Sequence, residues 1–331
     1  MRYIQPDSLD AGFHFSVETY LLEQAPLDEP VFMIWQSRPC TMLGRFQVAQ
    51  AELDLDYAAK EDILIVRRPS GGGTIFVDDG TLLYSLLLPC QDGDACIEQS
   101  RAFFSQGVSR ALNKLGIPAV IEGRNDILVE GKKIAGIAQH MKNGWICTHG
   151  SLLFDANLDM LSTVLKPDDD KIRSKAIASV RSRVTNLRSY LSSDLSTAEF
   201  WELLAKTLAE EWNLTPYTLL PAEIARVEEI HREKFGNPEW TFGQTPKFTF
   251  QNSTRLPAGK IEVFFDVAQN RIVSAAIHGD FLGVTSIREL EAVFEGLPFD
   301  RPALDHALSN IDLAPYLGGI TKDQLLACIF A

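Results

Sequence analysis

The strongest chemical signal in the chain is the run Arg67-Arg68-Pro69-Ser70-Gly71-Gly72-Gly73-Thr74, in which a β-rich stretch ends in two cations and then three glycines. Consecutive glycines weaken a sheet, so they imply a gain elsewhere. Without Cβ atoms a backbone can approach a ligand closely, and successive N–H groups can converge on an anion. Phosphate is the expected guest; the alternative is a flexible hairpin loop with two solvated arginines. No G-x-x-x-x-G-K-[ST] motif occurs, which excludes a Walker loop. A strand rather than a helix is expected after the glycines, which excludes a dinucleotide-binding fingerprint.

Two further segments carry charge in suggestive patterns. Lys171, Arg173, Lys175, Arg181, Arg183 and Arg188 fall within one short stretch that holds no acidic residue. They either balance the preceding Asp168-Asp169-Asp170 in a solvated loop or face a polyanion such as a triphosphate. The stretch from Asp126 to Gly136 reads as a hairpin in which alternation sends Lys132 and Lys133 to opposite faces. One of these lysines looks toward the covered side of the sheet, where the small Ala135 and Gly136 leave room for something other than protein. Parity does not select which of the pair is functional, and a lysine is ordinarily just solvated. Cys147 and His149 share the next predicted strand, where a thiol is by default a small apolar residue and a histidine a packed one.

The elements that must position these groups are well punctuated. Phe13, Val17, Tyr20 and Leu21 recur on one face of a helix expected from Asp10 to Glu23. Short β-runs follow at Val31–Trp35, Ile63–Arg67, Thr74–Val77 and Leu82–Leu88. A helix starting near Asp94 ends at Gly116 and Pro118, and the pairs Glu130-Gly131 and Asn143-Gly144 predict tight turns in a meander from Asp126 to Phe154. Helices are signalled at Leu158–Leu165, at Ser196 with Glu199 as a capping box, and from Pro221 to Gly236. After a Pro- and Gly-punctuated stretch from Asn237 to Lys247 come strands at Phe248–Asn252, Lys260–Val267 and Arg271–Ile277. Three short helices follow, with starts at Ser286 (with Glu289) and Thr321 (with Gln324). The division expected is 1–245 and 246–331, because 331 residues exceed what one core usually organises.

Composition bounds the function. With 46% apolar and 23% charged residues the chain belongs to ordinary globular proteins. A net charge of −13 argues against nucleic acid and anionic lipid as partners and requires any phosphate site to be a focused patch. Cys40, Cys90, Cys96, Cys147 and Cys328 are odd in number and lack a C-x-x-C pair, so they read as reduced, mostly buried thiols rather than a disulfide framework or a zinc site. No signal-peptide pattern and no run approaching eighteen apolar residues occurs, and a cytoplasmic protein is expected.

The ordered strings Arg67-Arg68-x-Ser70-Gly71-Gly72-Gly73, Gly123-Arg124-Asn125-Asp126, Lys133-Ile134-x-Gly136-x-Ala138, His149-Gly150-x-Leu152-Leu153 and Ser179 to Leu187 resemble those of lipoate-protein ligases. Asn237-Pro238-Glu239-Trp240-x-Phe242-Gly243 resembles the opening of the carboxyl-terminal accessory domain of long bacterial ligases, so the likeness covers essentially the whole chain. It implies an α+β fold of the kind shared with biotin ligases and class II aminoacyl-tRNA synthetases, with a mixed antiparallel sheet and a small α+β carboxyl-terminal domain. It also implies activation of lipoate with ATP to lipoyl-AMP, then transfer of the lipoyl group to a lysine of lipoyl-domain acceptors such as the glycine cleavage H protein and the E2 subunits of 2-oxoacid dehydrogenases.

Carried over by residue, the resemblance makes Lys133 the catalytic residue, contacting both the lipoyl carboxyl group and the α-phosphate. Arg68, Gly73, Thr74, Ile75 and Phe76 would line the ATP site with it, and Gly71, Gly72, His149 and Gly150 the lipoate site. Ser70, Asp126, Ala135, Gly136, Arg181 and Arg183 form a second tier, with Asp126 the candidate magnesium ligand and Leu82, Ile137 or Leu152 a candidate apolar slot. Val77 and Thr81 depart from the family's usual His and Asn, which removes any contact expected from those side chains. Two other readings stand beside it: an octanoyl- or lipoyl-transferase working through a cysteine thioester, for which Cys147 is the residue to check, and a non-catalytic lipoate or adenylate sensor.

Overall fold

The computed structural model describes residues 1–25, 27–91, 93–122, 126–164, 183–243 and 249–330. Arg181, most of the basic stretch before it, and the string 123–125 lie outside the described residues, as does the division placed at residue 245.

In chain order the first part comprises β1 (Arg2–Ile4), α1 (Ala11–Glu23), β2 (Val31–Trp35), β3 (Cys40–Leu43), α2 (Ala49–Glu52), α3 (Leu55–Lys60), β4 (Leu64–Arg67), β5 (Ile75–Val77), β6 (Thr81–Pro89) and α4 (Gly93–Lys114). It continues with β7 (Ala119–Glu122), β8 (Asp126–Val129), β9 (Lys132–Lys142), β10 (Trp145–Leu153), α5 (Met160–Val164), α6 (Thr197–Trp212), β11 (Thr215–Pro216), α7 (Pro221–Ile230) and α8 (Pro238–Phe242). An eight-stranded sheet runs β11-β1-β2-β6-β10-β9-β8-β7, and β4-β3-β5 form a separate small sheet that carries the glycine loop between β4 and β5. The sheet is mixed: β1 pairs parallel with both β2 and β11, whereas β2, β6, β10, β9, β8 and β7 are antiparallel.

Local chemistry explains the meander. Glu130 and Gly131, then Asn143 and Gly144, all have positive φ, the geometry of tight hairpin turns. Asp10 caps α1 by accepting from the N–H groups of Gly12 and Phe13. Ser196 and Glu199 form the expected capping box. Ser286 does not cap through its side chain, and Glu289 accepts from the Tyr316 hydroxyl rather than closing a capping box.

Alternation gives the large sheet two covered faces. One packs on α4 and α6 through Phe32, Tyr84, Phe104, Ile137, Leu152 and Phe200, the other on α1 and α7 through Phe15, Met33, Trp35, Leu83, Leu87 and Val227. Leu82, Ile137 and Leu152, the candidate apolar slot, belong to the α4 core.

The second part is a three-stranded antiparallel sheet, β12 (Phe250–Leu256), β13 (Gly259–Ala268) and β14 (Arg271–Gly279), with α9 (Ile287–Phe294), α10 (Arg301–Leu308), α11 (Ala314–Leu317) and α12 (Lys322–Ile329). It has its own apolar core around Phe265, Phe294 and Leu325, into which Phe46 of the first part inserts by stacking on Phe281. The helices number four rather than three among the described residues, because α11 is a single short turn with little periodicity.

The expectation for the cysteines is corrected at one place. Cys90 and Cys96 are disulfide-bonded, while Cys40, Cys147 and Cys328 are free and buried. The turn from β6 into α4 brings the two Cα atoms to 5.5 Å, within bridging range despite a spacing that no C-x-x-C pattern signals.

Candidate active site

The arginines of the glycine loop point inward. Arg67 is 1% exposed and donates from Nε, Nη1 and Nη2 to the carbonyls of Trp240, Thr241, Gly44, Arg45 and Gln47. Arg68, also buried, donates to the carbonyls of Met42, Gly71 and Gly73 and to Ser70 Oγ. Desolvation lowers both guanidinium pKa values to about 10, with Arg67 adding to the shift of Arg68. These cations are not solvated, as one reading expected; they hold the loop in shape.

The turn itself lies under the second part of the chain. The Gly72 N–H donates to Phe281 O at 2.9 Å, and a Cβ on Gly71 would meet that same oxygen at 2.5 Å. Of the N–H groups expected to converge on an anion, that of Gly72 is taken by Phe281 in this arrangement. Gly73, Thr74, Ile75 and Phe76 stay half-buried, and Thr74 Oγ1 donates to Gln47 Oε1 at 3.0 Å.

Lys133 sits differently. Its ammonium is 2.7 Å from Asp126 Oδ1, and both side chains are 37% exposed. A bulge between Ile127 and Leu128 sets the hairpin register. A Cβ on Gly136 would lie 2.8 Å from Lys133 Nζ, so the missing methyl is the space through which the lysine arm lies. Ala135 is turned the other way, into the α4 core, and does not border the lysine as expected. Gly150 likewise serves packing: a Cβ there would be 2.5 Å from Gly136 O and 3.1 Å from the Tyr84 ring.

Register then brings the two segments together. Across β9 and β10 Gly136 pairs with Ser151, Ala138 with His149, and His140 with Cys147, so alternate rungs share the α1 face. Lys133 lies over the first of these rungs. On the second, His149 Nε2 is 2.6 Å from Ser70 Oγ of the glycine loop. Rungs on one face are about 7 Å apart, so the hairpin lysine and the glycine loop border one strip floored by Gly136, Ser151 and Ala138. The end of the basic stretch joins them: Val184 bridges to Lys133, and Thr185 N–H donates to Lys133 O at 3.0 Å. Arg188, by contrast, is paired with Asp155 and Asp194 at the surface.

Sequence reasoning missed Glu18. It lies mid-way along α1, fully buried, with Oε1 and Oε2 at 3.0 and 3.1 Å from His149 Nδ1 and Oε1 accepting from Ser85 Oγ at 2.5 Å. Burial alone would raise its carboxyl pKa, but His149 and His140 outweigh it and hold it well below the ordinary carboxylate range. Only an acidic residue in the middle of a helix that is mostly apolar signalled this. Cys147 is fully buried, and its thiol pKa is driven far up by burial and by Glu18, the reverse of an activated thiolate. A cavity of about 360 Å³, lined by Arg45, His140, Lys142, Lys234 and Trp240, opens at the other end of β9 from Lys133.

Residues 10–209 match the lipoyl protein ligase A/B catalytic domain family, and residues 245–329 match the bacterial lipoate protein ligase C-terminus family. The chain belongs to the lipoate-protein ligase family. It is 33% identical to the Bacillus subtilis lipoate-protein ligase LplJ, with 97% of each chain covered, and 32% identical to a Staphylococcus aureus lipoate–protein ligase, covering 98% and 99%. Among solved structures, a bi-partite lipoate protein ligase from Thermoplasma acidophilum aligns with a TM-score of 0.67 and 28% identity over 75% of this chain and 98% of that one. Plasmodium falciparum LipL1 in complex with lipoate, at 20% identity, shares the fold over 94% of both chains with a TM-score of 0.79. The α+β class is borne out. This ligase is an ATP-dependent enzyme that joins lipoate to protein. No helix among its described residues is long and apolar enough to cross a membrane.

Proposed function

We propose that the strip between Lys133 and the glycine loop carries both half-reactions. The lipoate carboxylate attacks the α-phosphorus of ATP and pyrophosphate leaves; an acceptor lysine amine then attacks the acyl carbon and AMP leaves. Joining two anions demands neutralised charge and alignment rather than a protein nucleophile. The observation that carries this reading is the half-exposed Lys133 ammonium beside Asp126, on the face where His149 holds Ser70. Lys133 offsets the approaching charges and then polarises the acyl carbonyl.

Gly73, Thr74, Ile75 and Phe76, still half-buried, line the nucleotide, while Arg67 and Arg68 act by holding the loop. Gly71, Gly72 and His149 flank the lipoyl tail. A solved relative, lipoate-protein ligase A bound with ATP, at 26% identity and a TM-score of 0.63, supports a nucleotide on this scaffold. Asp126 suits a magnesium ion, because Mg²⁺ commonly takes a single carboxylate and completes its shell with substrate oxygens and water; bound there, the ion would neutralise the phosphates. The separate core around Phe265 supports a 1–245 catalytic and a 246–331 accessory division. The acceptors are lipoyl domains of the H-protein and E2 type, met in the cytoplasm; the Thermoplasma ligase described with its E2 lipoyl domain supports that class.

Lipoate-dependent exchange of pyrophosphate into ATP tests the reading. Lys133→Ala is expected to lower that exchange by a factor of about 100–1,000, the scale for removing a donor to developing charge. Its urea midpoint should stay that of the parent protein. Parental exchange rates in the variant would refute the role of Lys133, and ATP-independent acyl transfer would favour a transferase.

A further inference from the structure

The disulfide between Cys90 and Cys96 sits under the seam between the two parts of the chain. Cys90 directly follows β6, Cys96 lies in the first turn of α4, and their bridge spans six positions. So short a loop stabilises a fold less than a long-range staple does. Cys40, Cys147 and Cys328 are buried and free, so this pair stands apart from the other thiols. We propose that Cys90 and Cys96 form a thiol–disulfide switch that sets how firmly residues 281–284 are seated on the glycine turn.

Packing connects the pair to the turn. Val284 of the second part is buried in a socket with Cys90, Ile97 and Ile146, and Cys96 and Met141 pack around them. The Val284 carbonyl accepts from the Met141 N–H at 2.8 Å, while the Cys90 N–H donates to Gly144 O at 2.7 Å, so backbone bonds hold the plug and one wall of its socket. Earlier in the same segment Phe281 O accepts from the Gly72 N–H at 2.9 Å, and a Cβ on Gly71 would meet Gly283 N and O at 3.2 Å. Residues 281–284 form neither helix nor strand, so these contacts decide where they rest. Only Leu282 and Gly283 stand between the socket and the turn.

Cys96 is half-buried whereas Cys90 is 3% exposed, so the thiolate of an incoming dithiol attacks Cys96 Sγ. The S–S bond breaks, Cys90 leaves as a thiolate and takes a proton, and a mixed disulfide remains on Cys96. The second thiol of the reductant, deprotonated, then attacks its own partner sulfur and releases Cys96, which takes the other proton. Two electrons pass to the protein pair and the reductant ends as its disulfide. In the reduced form the first turn of α4 is free to fray, Ile97 moves with it, and Val284 loses a wall of its socket. In a reducing compartment such a pair is oxidised only transiently, which suits a sensor rather than a framework. Looser seating releases the Gly72 N–H; its effect on ATP rests on the reading that the glycine turn lines the nucleotide, whereas the switch does not.

The full-length protein, oxidised with the disulfide form of dithiothreitol and then reduced with the dithiol, tests the switch. Alkylation of the denatured chain should count three thiols before reduction and five after it. Amide hydrogen exchange at Gly72 and Met141 should be faster in the reduced form, and KM for ATP in pyrophosphate exchange should fall by about fivefold, the lower end of allosteric couplings. Cys96→Ser should behave as the reduced protein under both conditions, and Val284→Ala should exchange fast in both. Five thiols before reduction, seam amides indifferent to reduction, or a redox response that persists in Cys96→Ser or Val284→Ala would each overturn the switch. Faster amide exchange with an unchanged KM would uphold the switch and remove the glycine turn from the nucleotide site.

Discussion

Arg67 and Arg68 on one side of the reacting strip, and Lys133 on the other, carry the same charge into opposite surroundings. The guanidinium groups are buried, and Nε, Nη1 and Nη2 of each donate to carbonyls of the 42–47 segment, the glycine turn and α8 or to the Ser70 hydroxyl. The ammonium is more than a third exposed and meets one carboxylate. A cation that engages the chain through every nitrogen can shape a site; one that is partly exposed can act on a substrate. The glycine side therefore contributes architecture and the hairpin side reactivity.

Substitutions on the two sides should separate stability from chemistry. The largest effect is expected for Arg67→Met, which strands buried carbonyls in two segments and should destabilise by about 3–5 kcal/mol, read as a fall in the urea midpoint. An Arg67→Met protein as stable as the parent would break the contrast. Lys133→Ala should move exchange and leave that midpoint in place.

Acid should act on the packed side. His278 lies at the seam with Nδ1 3.1 Å from Phe46 O, and burial, against the help of that carbonyl, lowers its pKa to about 4. The unfolded chain then binds the extra proton from about pH 6.5 downward while the folded one resists, so stability rises with pH across this window and is lost as pH falls toward 4. His278→Asn should flatten part of that slope in denaturation curves taken between pH 4 and 7, and an unchanged slope would remove His278 as its source. His14, buried and also lowered to about 4 by desolvation, supplies a slope of the same sign that the variant retains.

The smallest effect sharpens the hairpin side. Gly136→Ala pushes on a flexible lysine arm rather than on backbone, so exchange should slow by about tenfold, a cost near 1.4 kcal/mol, with folding unaffected. A stability loss without a rate loss would mean that the glycine serves packing alone.

Much of this was legible because the signals were local. Glu130-Gly131 and Asn143-Gly144 dictate their own turns, and Ser196 with Glu199 writes its own cap. The inward turn of Arg67 was not, since charged residues are ordinarily outside and its acceptors at Trp240 and Thr241 lie 173 and 174 positions away. β1 and β11, three and two residues long, carry no periodicity, and only their parallel pairing defines them. Lys133 emerged from a resemblance; the register that places it over Gly136, one rung from His149, needed the fold.

The hydrogen bond from Gly72 to the Phe281 carbonyl has a thermodynamic corollary. A single amide proton serves one strong acceptor at a time, so a phosphate oxygen that claims it competes with the chain's own backbone. The affinity of any anion that takes this N–H would then equal the intrinsic value scaled by the fraction of molecules in which residues 280–283 have parted from the turn. Substitutions at that seam would tune such binding without touching the anion itself.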